Sequence, residues 1–131
     1  MILVDTSVWV DHLRRADAAL ATLLTNGRVL GHPAVVGEVG LGSLANRKEI
    51  LGLMTNLPQA ARATHIEVMS FVDTHSLFGR GIGYVDAHLL ASAALTPGAS
   101  LWTRDKRLRT AAGTLGTLAD RPRGDRGGWA G

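Results

Sequence analysis

At 131 residues, with 46% hydrophobic and 19% charged side chains, the chain is long enough for one buried core and too apolar for a disordered segment. Its longest apolar runs fall far short of the roughly 20 residues of a membrane span, and no cationic leader precedes Asp5, so a cytoplasmic protein with no membrane contact is expected. Zero cysteines exclude disulfides and thiolate metal sites, and the net charge of +3 is concentrated between Arg104 and Arg126, a basic segment suited either to a polyanion such as RNA or to plain solvation.

Ile2, Leu3 and Val4 form a short apolar run with the pattern of a strand covered on both faces. Asp5 ends it, at the carboxyl end of a buried parallel strand, where open α/β sheets place their chemistry. Thr6 or Ser7 supplies the hydroxyl that starts a helix over 7–15, with Trp9 and Leu13 stacked and Asp11 and Arg15 as an exposed pair. A second helix covers 18–26 and ends at Asn26-Gly27. A strand follows over 28–32, and Pro33 opens a helix over 33–45 that carries Gly37, Gly40 and Gly42. Each of those glycines costs about 1 kcal/mol relative to alanine, which close packing against another helix or a second subunit would offset.

Asn46 caps a helix over 47–56; a third strand is expected over 62–66 and a helix over 67–77. The loop Gly79 to Gly83 lacks the spacing of a phosphate-binding GxxxxGK[ST] and reads as the entry to a helix over Tyr84 to Leu95. Ser100 to Thr103 is a further strand with Asp105 just past its end, and Lys106 to Leu115 is the last helix. Strands alternating with helices imply an α/β sandwich around a parallel sheet. The folded domain is expected over 1–118, and the Gly-, Pro- and Arg-rich tail over 119–131 is expected to be mobile in part, with one more edge strand near its start.

Four acids break this binary pattern. Asp5 ends an apolar strand; Glu38 shares a helix face with Val35, Leu41, Gly42 and Ala45; Asp86 shares one with Ile82, Leu89, Leu90 and Ala93; Asp105 continues the Leu101 and Thr103 side of the last strand. Each alone reads as a cap, a dipole partner or half of an ion pair. Together, on faces of buried type with no comparable set of cations, they point to one shared pocket. Clustered carboxylates draw protons unless a cation sits among them, and a hard, oxygen-preferring ion such as Mg²⁺ or Mn²⁺ suits them best. Such a pocket orients a phosphodiester and lowers the pKa of an attacking water.

Thr6, Ser7 and Thr103 lie beside these acids and are candidates to support them, while Arg80 and Arg104 flank the expected mouth and are candidates for RNA phosphates. Asp11, Asp17, Glu49, Glu67, Asp73, Asp120 and Asp125 read as solvated. The five histidines show no ligand spacing and read as surface or core-edge residues; Trp9 and Trp102 read as core, and Trp129 as part of the mobile tail.

At these residues the sequence resembles the PIN-domain ribonucleases, specifically the VapC-type toxins of bacterial toxin–antitoxin pairs. VDTSVWVDHL at 4–13, Glu38 within PAVVGEV, GIGYVDAHLLASA at 81–93 and LWTRDKRL at 101–108 carry the match, which extends to about residue 118. The resemblance implies a PIN-like three-layer sandwich with a central, mainly parallel sheet of four to five strands flanked by helices. It implies a Mg²⁺- or Mn²⁺-dependent endoribonuclease with Asp5, Glu38, Asp86 and Asp105 as its acidic, metal-holding pocket. It implies also a homodimer, a cognate VapB-like antitoxin that blocks the pocket, and inhibition of translation through cleavage of structured RNA such as tRNA or rRNA. The glycines around Glu38 and the basic tail depart from the family pattern. Two rivals fare worse. A haloacid-dehalogenase-type phosphatase wants a second Asp where Ser7 stands, and a non-catalytic binding module gains nothing from buried like charges.

Overall fold

The computed structural model describes residues 1–119. The expectations for a mobile tail and for Trp129 lie outside them. Three strands, β1 (Ile2–Val4), β2 (Val29–Leu30) and β3 (Ser100–Trp102), form a sheet of order β2-β1-β3 in which both pairings are parallel. Ile2 and Leu3 sit opposite Val29 and Leu30 on one side, and Ile2, Leu3 and Val4 opposite Ser100, Leu101 and Trp102 on the other. Single bridges extend both edges, Gly31 to Gln59 and Leu101 to Leu118, so five chain segments run side by side.

Seven helices flank the sheet among the described residues: α1 (Thr6–Arg14), α2 (Ala18–Thr25), α3 (Pro33–Gly40), α4 (Arg47–Thr55), α5 (His65–Thr74), α6 (Tyr84–Leu95) and α7 (Lys106–Leu115). β1 is central because Leu3 and Val4 are wholly apolar and lose nearly all contact with water, as do Leu101 and Trp102 of β3. Full burial of each such side chain stabilises the fold by roughly 1.5–3 kcal/mol. Trp9 and Trp102 belong to this core.

Three local expectations are corrected. No strand forms over 62–66, because Thr64 caps α5: its side chain accepts from the Glu67 backbone while Glu67 reaches back to the Thr64 N–H. The strand-like contact sits earlier, at Gln59. The third helix stops at Gly40 rather than Ala45, and Leu41 stands 90% exposed. A Cβ at Gly40 would come within 3.1 Å of Leu51 Cδ1 and 3.3 Å of Arg47 Nη2, so this glycine lets α3 approach α4. Asp11, finally, pairs with Arg104 rather than with Arg15.

Candidate active site

The carboxyl end of the sheet gathers the hydroxyls and acids. Asp5 follows directly on β1, 5% exposed, and serves as N-cap of α1. Its Oδ2 accepts from Ser7 Oγ at 2.7 Å, from Thr103 Oγ1 at 2.8 Å and from the Ser7 backbone N–H at 3.3 Å. Thr103, fully buried just past β3, in turn accepts from the Asp105 N–H at 3.1 Å, and Ser7 Oγ accepts from the Arg104 N–H at 3.0 Å. The ends of two adjacent parallel strands are thereby cross-linked through one carboxylate oxygen. Among the described residues, nothing donates a hydrogen bond to Oδ1 of Asp5.

The other acids arrive on three helices. Glu38, in the last turns of α3, accepts at Oε1 from Thr6 Oγ1 at 2.6 Å. Asp86 is in the first turn of α6 and accepts at Oδ2 from the Gly83 N–H at 3.3 Å. Asp105 caps α7, accepting at Oδ1 from the Leu108 N–H at 2.9 Å. Glu38 and Asp105 are exposed and Asp86 is partly buried, so only Asp5 has the deep burial expected of all four. The reason is local for both exposed acids. The Glu38 helix ends before the apolar stripe that would have buried it, and capping turns Asp105 toward its own helix.

The four carboxylates nonetheless share one field. Burial raises the pKa of Asp86 above its ordinary value, the Gly83 hydrogen bond opposes that rise, and the charges of Asp5, Asp105 and Glu38 add to it. Among the described residues, each acid keeps one oxygen without a hydrogen bond, a donor set of hard oxygens. Among the described residues, no three acidic or histidine side chains are grouped closely enough to hold a metal ion. Mg²⁺ needs no such grouping, since it keeps several waters and takes one or two carboxylates. The residues therefore fit a hydrated divalent ion.

Of the two arginines expected at the mouth, Arg104 is committed elsewhere. Its Nη1 is 2.9 Å from Asp11 and its Nη2 2.6 Å from Asp17, the N-cap of α2. Asp11 and Asp17 are accordingly structural partners and not merely solvated. Arg80 is exposed in the loop that enters α6, beside Lys106 and Arg107.

Sequence reasoning missed two features. Lys106 and Arg107 share a cleft with Arg80, hinted at only by the repeated cations of TRDKRLR. His32, read with the other histidines as a surface or core-edge residue, is 4% exposed. Its position between a strand and Pro33 marks it as a helix cap, a role more often given to Ser, Thr, Asp or Asn.

The PIN domain family model matches residues 2–114. Two curated relatives, both named Ribonuclease VapC32, come from Mycobacterium tuberculosis strains CDC 1551 / Oshkosh and ATCC 25618 / H37Rv. Each is 53% identical over 116 residues, covering 88% of this chain and 94% of the relative.

Proposed function

The chain belongs to the PIN-domain family, among the VapC-type ribonucleases, and from that premise we propose that it is a divalent-metal-dependent endoribonuclease working through Asp5, Glu38, Asp86 and Asp105. The observation that carries the reading is the placement of these acids: four segments far apart in sequence set them at the carboxyl end of the sheet, with Asp86 partly buried and its pKa raised first by burial and then by the charges of Asp5, Asp105 and Glu38. An arrangement that raises the proton affinity of Asp86 is costly without a counter-cation. A bound Mg²⁺ or Mn²⁺ supplies that charge, lowers the pKa of a water and neutralises a phosphate.

The chain's own residues supply the rest. Ser7 and Thr103 hold Asp5 in one orientation at the floor, and Thr6 holds Glu38 at the rim, so that two carboxylates enter the reaction already positioned. A water oxygen bonds to phosphorus, the phosphorus–oxygen bond to the leaving nucleotide breaks, and a carboxylate of the pocket takes the water's proton. Within this reading the substrate is structured RNA such as tRNA or rRNA and the outcome is inhibited translation. A VapB-like antitoxin would neutralise the protein, which would act as a homodimer.

The test is cleavage of total RNA by the purified protein with Mg²⁺ or Mn²⁺, with EDTA, and with the Asp5→Asn and Asp86→Asn variants. Loss of cleavage in EDTA and in both variants is expected. Cleavage that persists in EDTA or in either folded variant overturns the proposal.

A further inference from the structure

Arg80, Lys106 and Arg107, with Thr110 and Ala111, line a cleft of about 620 Å³ between the 79–83 loop and the first turns of α7. No acidic residue lines it, and among the described residues none of these three cations forms an ion pair. Arg104, by contrast, is neutralised by Asp11 and Asp17. The fold thus sorts the basic residues of one short segment, tying one down and leaving two free.

The cleft and the acidic pocket are built on the same chain segments. α7 begins directly after Asp105, and the loop that holds Arg80 runs into α6, which carries Asp86. Arg107 is also held in place. A Cβ at Gly81 would lie 2.5 Å from Arg107 Nη1 and 2.9 Å from its Cδ and Cζ, so the guanidinium lies against bare backbone at a position whose φ is +73°. Glycine is needed there for the left-handed conformation, and a Cβ at this position would push the guanidinium out of its present seat. A surface arginine seated in this way has lost much of its side-chain freedom before any ligand arrives.

We propose that this cleft is the subsite for the RNA backbone next to the scissile phosphodiester, with Arg107, seated against Gly81, as its fixed anchor and Arg80 and Lys106 as flanking cations. The proposal rests on reading the four carboxylates as the hydrolytic centre, since that is what makes the cleft adjacent to the cut. The chemistry is that of phosphate recognition. Three cations are presented from two segments, and the hydroxyl of Thr110 is already donated to the Lys106 carbonyl. Contacts of this kind position a strand and add affinity irrespective of sequence.

The test measures binding of short fluorescein-labelled single-stranded RNAs, one with guanine and one without, as a function of KCl. Asp5→Asn protein is used so that the probe survives. Arg107→Gln should weaken both probes about 5- to 10-fold and lower the salt slope by about 0.7, with the Arg80→Gln/Lys106→Gln/Arg107→Gln variant losing about 2 in slope. Lys48→Gln, which removes an exposed charge on α4, should leave slope and affinity as they were. Gly81→Ala should reproduce the loss seen for Arg107→Gln with no change of charge, provided circular dichroism and melting show it folded. In the cleaving protein, Arg107→Gln should raise KM with kcat retained.

An unchanged salt slope in the triple variant overturns the proposal, as does a loss confined to the guanine-containing probe or a fall in kcat at constant KM. If the triple variant still cleaves with wild-type KM, the cleft fails and the nuclease reading stands. If wild-type protein never cleaves yet binds with a cleft-dependent slope, the nuclease reading fails and the cleft stands as an RNA-binding site.

Discussion

Lowering the pH from about 7.5 to about 5 should remove about 2 kcal/mol of stability through one buried imidazole, that of His32. Its Nδ1 accepts from the Ala34 N–H at 3.0 Å and so caps α3; its Nε2, left to carry the ring proton, lies 3.1 Å from Ser92 Oγ in α6. A single side chain therefore ties the helix bearing Glu38 to the helix bearing Asp86. Burial first, then the charges of His88 and Arg62, lower its pKa from 6.5 to about 4. A base held neutral in the fold favours the folded state above its unfolded pKa. As pH falls from about 6.5 toward about 4 the unfolded chain takes up the proton first, and stability declines.

His32→Asn keeps an acceptor for the cap and removes the titration. Urea unfolding of both proteins at the two pH values isolates the effect, because every other titrating group is common to them. With a slope of about 1–3 kcal/mol per molar urea, the wild-type midpoint should drop by roughly 1 M more than the variant's. The carboxyl of Glu67, held low by Thr64, loses its contribution below this window. Equal pH-induced drops in the two proteins would refute the reasoning.

Three further outcomes are expected. Adding Mn²⁺ or Mg²⁺ at about ten times its Kd should raise stability by about 1.4 kcal/mol, read as a higher melting temperature; Asp86→Asn should melt higher without metal and respond less to it. Thr6→Val, which removes the 2.6 Å bond to Glu38, should lower kcat/KM for RNA about 10-fold with the melting temperature nearly unchanged; a wild-type kcat/KM would dismiss that bond as incidental. Arg104→Met leaves Asp17, whose side chain is 17% exposed, without its cation. It should cost roughly 1–2 kcal/mol in urea unfolding while the salt dependence of RNA binding stays as it was, whereas a reduced salt slope would return Arg104 to the RNA-facing surface.

Local rules carried much of the reading. Tyr84–Leu95 and Lys106–Leu115 form helices with the bounds that their caps and apolar periods predict, and the run Ile2 to Val4 is the central strand its composition demands. The four acids stood out because each interrupts an apolar pattern within a few residues of itself. These features depend on spacings of one to four residues, which is the range over which helix and strand periodicity acts. What spacing does not contain is the partner across the fold. Arg104 finds Asp11 and Asp17 at separations of 93 and 87 residues, Thr103 finds Asp5 at 98, and His32 finds Ser92 at 60. The parallel register of β1 with β3 brings Thr103 to Asp5, and the docking of helices on that sheet decides which acid is buried and which cation is left free. The sequence determined β1, β3, the last two helices and the places where acids interrupt an apolar pattern, because short-range sterics and burial settle those; the strand expected over 62–66 and the far end of α3 were not settled by it. Only the tertiary structure decided burial and pairing, because a side chain's desolvation and its charge partners are properties of whatever distant segments the sheet sets beside it.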